Sequence, residues 1–499
     1  MIGRRREACF RAGDRIHDRR LNDFTREPTL VTAVDEQDIA GSRAWTVALG
    51  SVASFMVGLD VLIMMTAVST LHLEFGTDAA GIGWSINAYE IGFAALILTG
   101  SVIGDRYGRK RMFIVGVAWF TLGSVLCALS TSMEMLVLAR GFQGLGGGIA
   151  TALALAVITA STPSERRGTA FGIWGAVMGM AVAVGPLVGG TIIHFLSWEW
   201  CFWLNVPIGI VVIVLSWRKV PETRGSATGI DFLGMILSTA GVVSLSQALL
   251  RGGEVGWSAP SIVGGIILGL LLLIAFVAWQ RRTPAPMMPL KMFENLSFSG
   301  GCGVSFVLGA SLYGNAFLFA QYLQLALGND PLMVGIKMLP WVALAPIVAP
   351  IAGVLADRIG ERPIVIVALV LFAAAFFAIG PLVKFGAGYG TLVLPLIVAG
   401  IGVAALFPAL ATAVMRVVDP DRLGVASGVS NTIRQVGAVF GVAIAVAIFT
   451  SFGGYQSPQD FVDGYTPAAV VLAAITLTGL IPALLIRPRT AKVDAVTMK

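Results

Sequence analysis

The sequence predicts an all-α polytopic membrane protein of fourteen transmembrane helices: two pseudo-symmetric six-helix bundles with two helices inserted between them. Three observations predict it. Apolar runs without charge recur along the chain, charged residues gather in alternate connections, and one charged turn occurs twice at a fixed distance. Hydrophobic residues make up 56 % of the chain and charged residues 12 %, against about 45–50 % and about 25 % in soluble domains. Mean hydropathy is +0.85, and uncharged runs of roughly 20 residues suffice to cross about 30 Å of hydrocarbon as helices. The 60 glycines fit helices that approach closely within a membrane.

Several function classes are excluded at once. The net charge of +6 does not point to nucleic acid, because the basic residues sit in tails and alternate loops. Cys9, Cys127, Cys201 and Cys302 are scattered, and His17, His72 and His194 form no ligand spacing, so neither a disulfide framework nor a metal is expected. Gln143 to Gly148 (QGLGGG) follows no strand and lies in an apolar run, which argues against a nucleotide turn. No nucleophile or metal constellation supports an enzyme, and no cofactor is expected.

In order, residues 1–43 are polar and arginine-rich and read as a disordered cytoplasmic tail, without the apolar core of a signal peptide. Candidate spans follow near 44–71, 81–103, 112–131, 133–160, 168–195 and 202–217, forming an N-terminal bundle over 44–220. Two inserted spans, 231–250 and 261–279, with their linkers occupy 221–290. Spans near 297–327, 332–355, 363–383, 390–415, 424–450 and 467–486 form a C-terminal bundle over 291–487, leaving 488–499 as a second tail. Even-numbered connections carry most of the charge, among them Arg106, Arg109, Lys110, Arg111, Arg166, Arg167, Arg218, Arg281, Arg358, Arg362, Arg416 and Arg422. The positive-inside rule then puts both termini in the cytoplasm and the protein in the cytoplasmic (inner) membrane.

The division into halves rests on a repeat. SVIGDRYGRKR from Ser101 to Arg111 recurs as GVLADRIGERP from Gly353 to Pro363, laying Asp105 on Asp357, Arg106 on Arg358 and Gly108 on Gly360. Gly168, Ala170 and Gly172 likewise match Gly424, Ala426 and Gly428. Topology alone requires lysine and arginine in such turns but not an aspartate in register. Related halves of this kind are the usual architecture of a transporter.

Ionisable residues within spans are costly, about 2.5–3.5 kcal/mol each at the bilayer centre, and so invite a functional reading. At about 1.5 Å per residue, Asp60 lies roughly 24 Å above the inner start of its span, Glu90 about 14 Å and Arg140 about 10 Å below their outer starts. The three therefore share the outer half of one bundle. Either Asp60 and Glu90 carry a proton or meet a cationic substrate with Arg140 tuning them, or a static ion pair merely neutralises Arg140. Arg434 has no evident buried carboxylate nearby in sequence; Asn431, Gln435, carbonyls or an anionic group are its candidate partners. Asn87, Tyr89, Gln143, Asn315, Gln321 and Gln324, with Trp84 and Trp174, either line a mixed cavity or pack helices. In GPLVGG, Pro186 removes a backbone donor, Gly185 and Gly189 offer a small-xxx-small contact, and Gly190 extends it.

These motifs together resemble the major facilitator superfamily. GDRYGRKR and its copy are similar to its signature turn, Arg140 to Gly144 to its second motif, and Gly185 to Gly190 to the motif of its exporters. Leu59 and Asp60, Trp198 to Trp200, Asn205 to Gly209, and Tyr322 to Gln324 resemble the fourteen-span drug:proton antiporter branch. Departures are Ser101 where a glycine opens the turn, Glu199 between the two tryptophans, and Glu90. The resemblance implies that Asp105 braces the helix starting near Gly424 and Asp357 the one near Gly168, as inner gating turns with Arg106, Gly108, Arg109, Arg358 and Gly360. It implies proton-coupled export of amphipathic or cationic small molecules by alternating access, by a functional monomer, driven by the proton gradient. A dedicated exporter of one natural product or metabolite, and a non-transporting membrane sensor, are the alternatives.

Overall fold

The computed structural model describes residues 33–163, 167–225, 229–418 and 423–488; a few side chains within these stretches, Asp357 among them, are not described. Every regular element described is helical. The helices are α1 (Ala33–Phe75), α2 (Ala79–Tyr107), α3 (Arg109–Ala128), α4 (Met133–Ser161), α5 (Arg167–Phe195), α6 (Glu199–Trp203), α7 (Asn205–Lys219), α8 (Phe232–Val255) and α9 (Pro260–Gln280). Then come α10 (Leu296–Gln321), α11 (Pro331–Val342), α12 (Ala345–Ile359), α13 (Glu361–Lys384), α14 (Tyr389–Met415), α15 (Leu423–Phe452), α16 (Pro458–Thr478) and α17 (Leu480–Leu485).

Twelve helical stretches among the described residues are long and apolar enough to cross a membrane. The expected spans 81–103 and 168–195 coincide with α2 and α5, which are not among the twelve. Three expected spans are each two helices. The span at 202–217 is α6 and α7, that at 332–355 is α11 and α12, and that at 467–486 is α16 and α17. Pro340, Pro346 and Pro350 crowd the α11–α12 break, where each removes a backbone donor. Residues 33–43, expected within the N-terminal tail, belong to α1, which begins at Ala33; the rest of the expected tail lies outside the described residues.

The end of the bundle that holds Arg106 to Arg111 is called the basic end below, and the opposite one the far end. Both repeated turns reverse the chain through a glycine that only glycine favours: Gly108 has φ +106° and Gly360 φ +90°. Each closes its helix with one bond, Gly108 N–H to the Gly104 carbonyl at 2.8 Å and Gly360 N–H to the Ala356 carbonyl at 2.9 Å.

The stretch after α7, expected to be only a linker, folds under the first turn. Glu222 accepts from the Lys110 N–H at 3.0 Å and the Arg111 N–H at 3.3 Å, and the Thr223 carbonyl accepts from the Arg109 N–H at 2.9 Å. It thus satisfies the donors that open α3 and sets a carboxylate against the positive end of its dipole. In the second copy the buried Glu361 carboxylate meets Arg416 at 3.1 Å instead.

The α8–α9 pair is pinned at the basic end by Asp231. Its carboxylate caps α8 through the Gly234 N–H at 2.8 Å and accepts from the Trp279 indole at 2.7 Å and the Gln280 amide at 2.5 Å. α9 turns Ile267, Leu268, Leu271 and Ile274 outward, as a helix facing lipid does, while α8 packs on α2 and α15.

Replacing Glu222 by alanine is expected to weaken the α3 cap by about 1 kcal/mol, within the usual range for losing an N-terminal cap. A lower unfolding temperature of the purified protein, with no such loss for Glu294→Ala at another turn, checks it.

Candidate functional site

The polar centre lies where α1, α2, α3, α4 and α7 meet. Glycines bring these helices within backbone contact. A side chain at Gly144 would run into the Tyr89 backbone of α2, one at Gly146 into the Phe120 backbone of α3, and one at Gly123 into the Gln143 backbone. The glycine run of α4 is therefore a packing surface, and its close approach places Arg140 and Gln143 opposite Asp60.

Asp60 and Arg140 are both buried and form an ion pair, Arg140 Nη1 to Asp60 Oδ2 at 2.5 Å. The other carboxylate oxygen accepts from Gln143 Nε2 at 2.9 Å and Asn205 Nδ2 at 2.7 Å. Ser124 Oγ accepts in turn from Gln143 at 2.8 Å and Asn205 at 3.3 Å. Arg140 also donates through Nη1 to Gln143 Oε1 at 2.7 Å and through Nε to the Ser85 carbonyl at 3.3 Å. Its guanidinium lies 4.2 Å from the Tyr89 ring centroid and 5.7 Å from that of Phe202. Arg140 thus has several partners that do not depend on the charge of Asp60. Its neighbour can be neutralised without stranding the guanidinium among apolar groups.

Glu90, expected at a depth like that of this pair, makes no hydrogen bond to it among the described residues. It is fully buried and accepts from Gln435 Nε2 of α15, while its other oxygen has no hydrogen-bond partner among the described residues. It faces α15 because Asn87, one turn earlier on α2, donates to Ser246 of α8 at 2.9 Å and to the Val439 carbonyl at 3.3 Å.

The other residues expected to line a cavity are engaged in helix contacts. Tyr89 lies beneath Arg140. Asn315 donates to the Ser311 carbonyl at 2.8 Å. Gln321 donates to the Phe317 carbonyl at 3.0 Å and accepts from Tyr455 at 2.6 Å, and Gln324 reaches Thr70 at 3.4 Å. Trp84 donates to Gln247 at 2.6 Å and Trp174 to Ser54 at 2.9 Å. Arg434 donates to Asn431 on its own helix and lies 5.5 Å from the Phe407 ring centroid.

GPLVGG packs in two directions. A side chain at Gly185 would meet Leu62 Cβ at 2.6 Å and one at Gly189 would meet Ile63 Cα at 3.1 Å, both on α1. Gly190 faces Pro331 and Leu332 of α11, and Gly335 of α11 faces the Pro186 backbone in return. α5 and α11 are clasped at the far end with almost no side chain between them.

In the first gating turn the described ion pair of Asp105 is local. Asp105 pairs with Arg109, one turn on, at 2.6 Å, and its backbone carbonyl accepts from the Gly225 N–H at 3.3 Å. Gly108 lets the chain turn back so that Arg109 follows directly, and the short pair forms locally. Arg106 lies 5.5 Å from the Tyr107 ring and Arg358 is exposed. The side chain of Asp357, and the surroundings of Gly168 and Gly424, lie outside the described residues.

A profile of the Major Facilitator Superfamily matches residues 50–224 and 301–497. The chain belongs to this superfamily. The puromycin resistance protein pur8 of Streptomyces alboniger is 32 % identical over 471 residues, covering 91 % of this chain and 93 % of that protein. The methylenomycin A resistance protein of Bacillus subtilis (strain 168) is 28 % identical over 421 residues, 84 % of this chain and 90 % of that one. The solved D-xylose–proton symporter shares the fold at a TM-score of 0.64 and 14 % identity, covering 89 % of this chain and 96 % of that one.

Within this superfamily member, sequence reasoning missed Ser124 altogether, named Asn205 only as part of a motif without a contact to Asp60, and named Gln435 only as a partner for Arg434 rather than for Glu90. Each is a buried uncharged polar group on an apolar helix, a signal shared with many packing residues.

Removing the Asn205 amide with Asn205→Leu is expected to cost about 1–3 kcal/mol, because Asp60 loses a buried donor. Thermal unfolding in detergent measures it, and Asn205→Gln should recover part of the loss.

Proposed function

We propose that this superfamily member exports amphipathic or cationic small molecules by proton antiport, with Asp60 as the group that exchanges proton for substrate. The Asp60–Arg140 pair carries this reading. It is the charged centre of the N-terminal helices and has alternatives ready on the arginine side. A proton on Asp60 removes the charge that Arg140 faces, and the guanidinium then rests on Ser85, Gln143 and the Tyr89 ring. Loss of that proton restores a carboxylate for which Arg140 and a cationic substrate compete. The electrical part of the gradient contributes about 2.3 kcal/mol per charge per 100 mV. Relatives named for resistance to single antibiotics support a second reading, export of one natural product. Susceptibility to a panel of unrelated drugs separates the two.

Fourteen membrane crossings fit this reading. They form two six-helix units, over 44–220 and 291–487, with α8 and α9 inserted over 221–290 and both termini in the cytoplasm of a monomer in the inner membrane. Support comes from the paired turns at Gly108 and Gly360 and from the matched profile, which passes over residues 225–300, where α8 and α9 lie. The basic end is then the cytoplasmic one. At the far end the units meet through Gly190 on Pro331, Gln324 on Thr70, His72 tilted against Tyr455 with ring centroids 4.3 Å apart, and His194 with Asp330 at 3.6 Å. At the basic end an apolar cluster that includes Leu49, Val157, Phe298 and Ala426 joins them as well. Joining at both ends fits a step of alternating access in which neither side stands open.

Two tests follow. In proteoliposomes, Asp60→Asn is expected to abolish proton-driven drug export. The double variant Asp60→Asn/Arg140→Gln should recover stability without recovering export, since a merely structural pair would recover both. Gly190→Val is expected to hold the far end apart, raising the labelling of a cysteine placed at Thr70 severalfold; unchanged labelling would remove GPLVGG from the gate.

A further inference from the structure

We propose that Glu90 is a second proton-carrying group, separate from Asp60, and that a proton on it is what lets α2 and α15 close together at the far end. The proposal rests on the reading of this chain as a proton-driven exporter and adds a site to it.

Position comes first. Glu90 and Asn87 stand one turn apart on α2; Gln435 and Val439 stand one turn apart on α15. Glu90 with Gln435, and Asn87 with the Val439 carbonyl, are the cross-links of this seam. α8 lies over it: Gln247 takes the Trp84 indole, Ser246 takes the Asn87 amide, and Val242 packs with Ile91 and Val439. The inserted pair therefore closes the seam on its lipid side, and the carboxyl group is fully buried.

Partners come second. Asp60 accepts from Arg140, Gln143 and Asn205. Glu90 accepts from Gln435 alone among the described residues. Glu90 Oε1, Gln435 Oε1 and Asn87 Oδ1 are all buried acceptors without a hydrogen-bond partner there. The seam thus holds a surplus of acceptors and lacks a donor. A proton on Glu90 supplies one: the carboxyl O–H donates to Gln435 Oε1 after the amide turns over, an exchange of nearly equal shapes. Gln435 serves the charged carboxylate through its nitrogen and the neutral acid through its oxygen.

Charge decides between the two forms. The charged or titratable groups around Glu90 are Asp60 of α1, Tyr89 of α2, Arg140 of α4, Tyr313 of α10 and Arg434 of α15. From α8, the side chains that hydrogen-bond to α2 among the described residues are the uncharged Ser246 and Gln247. Arg140 is already paired with Asp60, and Arg434 is turned to Asn431. An ionised Glu90 in the closed seam has one neutral donor and no ion-pair partner among the described residues, an arrangement that leaves a buried charge poorly compensated. The neutral acid, hydrogen-bonded to Gln435, avoids this. Closure therefore draws a proton onto Glu90, taken from the far side while the seam is open. Arg434, the nearest cation not held by a carboxylate, favours release once the seam loosens.

The test reads the far end, where the seam closes. Spin labels at Glu74→Cys and Gln456→Cys, both exposed at the far end, in a Cys9→Ser background report its opening in lipid nanodiscs by pulsed dipolar spectroscopy. In otherwise native protein the distances are expected to lengthen as pH rises from mildly acidic to mildly alkaline. Glu90→Gln should hold them short throughout, and Glu90→Asp should restore a response to pH. A pH response unaltered by Glu90→Gln, or none in the native protein, would overturn the proposal. The native chain gives a second reading: a hydrophobic carbodiimide, which attacks protonated carboxyl groups, should modify Glu90 severalfold more slowly at alkaline pH. Modification indifferent to pH contradicts the proposal. Should Glu90→Gln leave the response intact while Asp60→Asn abolishes export, this proposal fails and the antiport reading stands. Should the native protein move no protons with substrate, the antiport reading itself fails.

Discussion

A charge in the apolar interior of a helix bundle must be paired, and the Asp60–Arg140 pair shows what that demands of the rest of the structure. The ion pair alone does not satisfy two ionised side chains removed from water. Asp60 needs Gln143 and Asn205, these need Ser124, and Arg140 needs Ser85 and the Tyr89 face. Those groups sit on α1, α2, α3, α4 and α7, so five helices must approach closely enough to share one hydrogen-bonded centre. Glycine makes the approach feasible. Gly123, Gly144 and Gly146 leave the neighbouring backbone in contact where any side chain would push it away. The abundance of glycine and the buried pair are two aspects of one requirement.

A second consequence concerns where charge is tolerated. At the basic end, acids cap helices and meet arginines locally, as Asp105 does with Arg109, Glu222 with the start of α3, and Asp231 with the start of α8. The two repeated turns share glycine geometry yet differ in ionic partners, since Glu361 reaches to Arg416 whereas Arg109 turns back to Asp105. A backbone reversal survives divergence of its side chains because it needs only glycine at one position. At the far end Gly190, Pro331 and Gly335 meet backbone to backbone between α5 and α11, whereas Glu90 lies apart from them, between α2 and α15.

Much of the fold was legible in the sequence because a membrane imposes a simple rule. Uncharged runs of the right length and arginines in alternate loops place helices such as α9 and α13 within a few residues. The breaks within α6–α7, α11–α12 and α16–α17 were not read, since hydropathy is blind to where an apolar run pauses. Asp60 and Arg140 stood out as charges in apolar runs, and the structure brings them together. Glu90 stood out equally, but its depth said nothing about which face of α2 it occupies; facing α15 gives it Gln435 rather than Arg140 as its hydrogen-bond partner. Asn205 was legible only as part of a motif and Gln435 only as a neighbour of Arg434; neither carries a charge, and the chain alone does not show that they meet Asp60 and Glu90. The capping role of Glu222 was hidden for a related reason: its target is far away in sequence and close only after folding.

The account turns on Asp60 exchanging a proton for a substrate. Adding a cationic amphipathic drug to purified protein in unbuffered solution with a pH indicator tests that exchange without a membrane or a gradient. Proton release on binding, absent in Asp60→Asn, is expected. Drug binding with no proton released would contradict it.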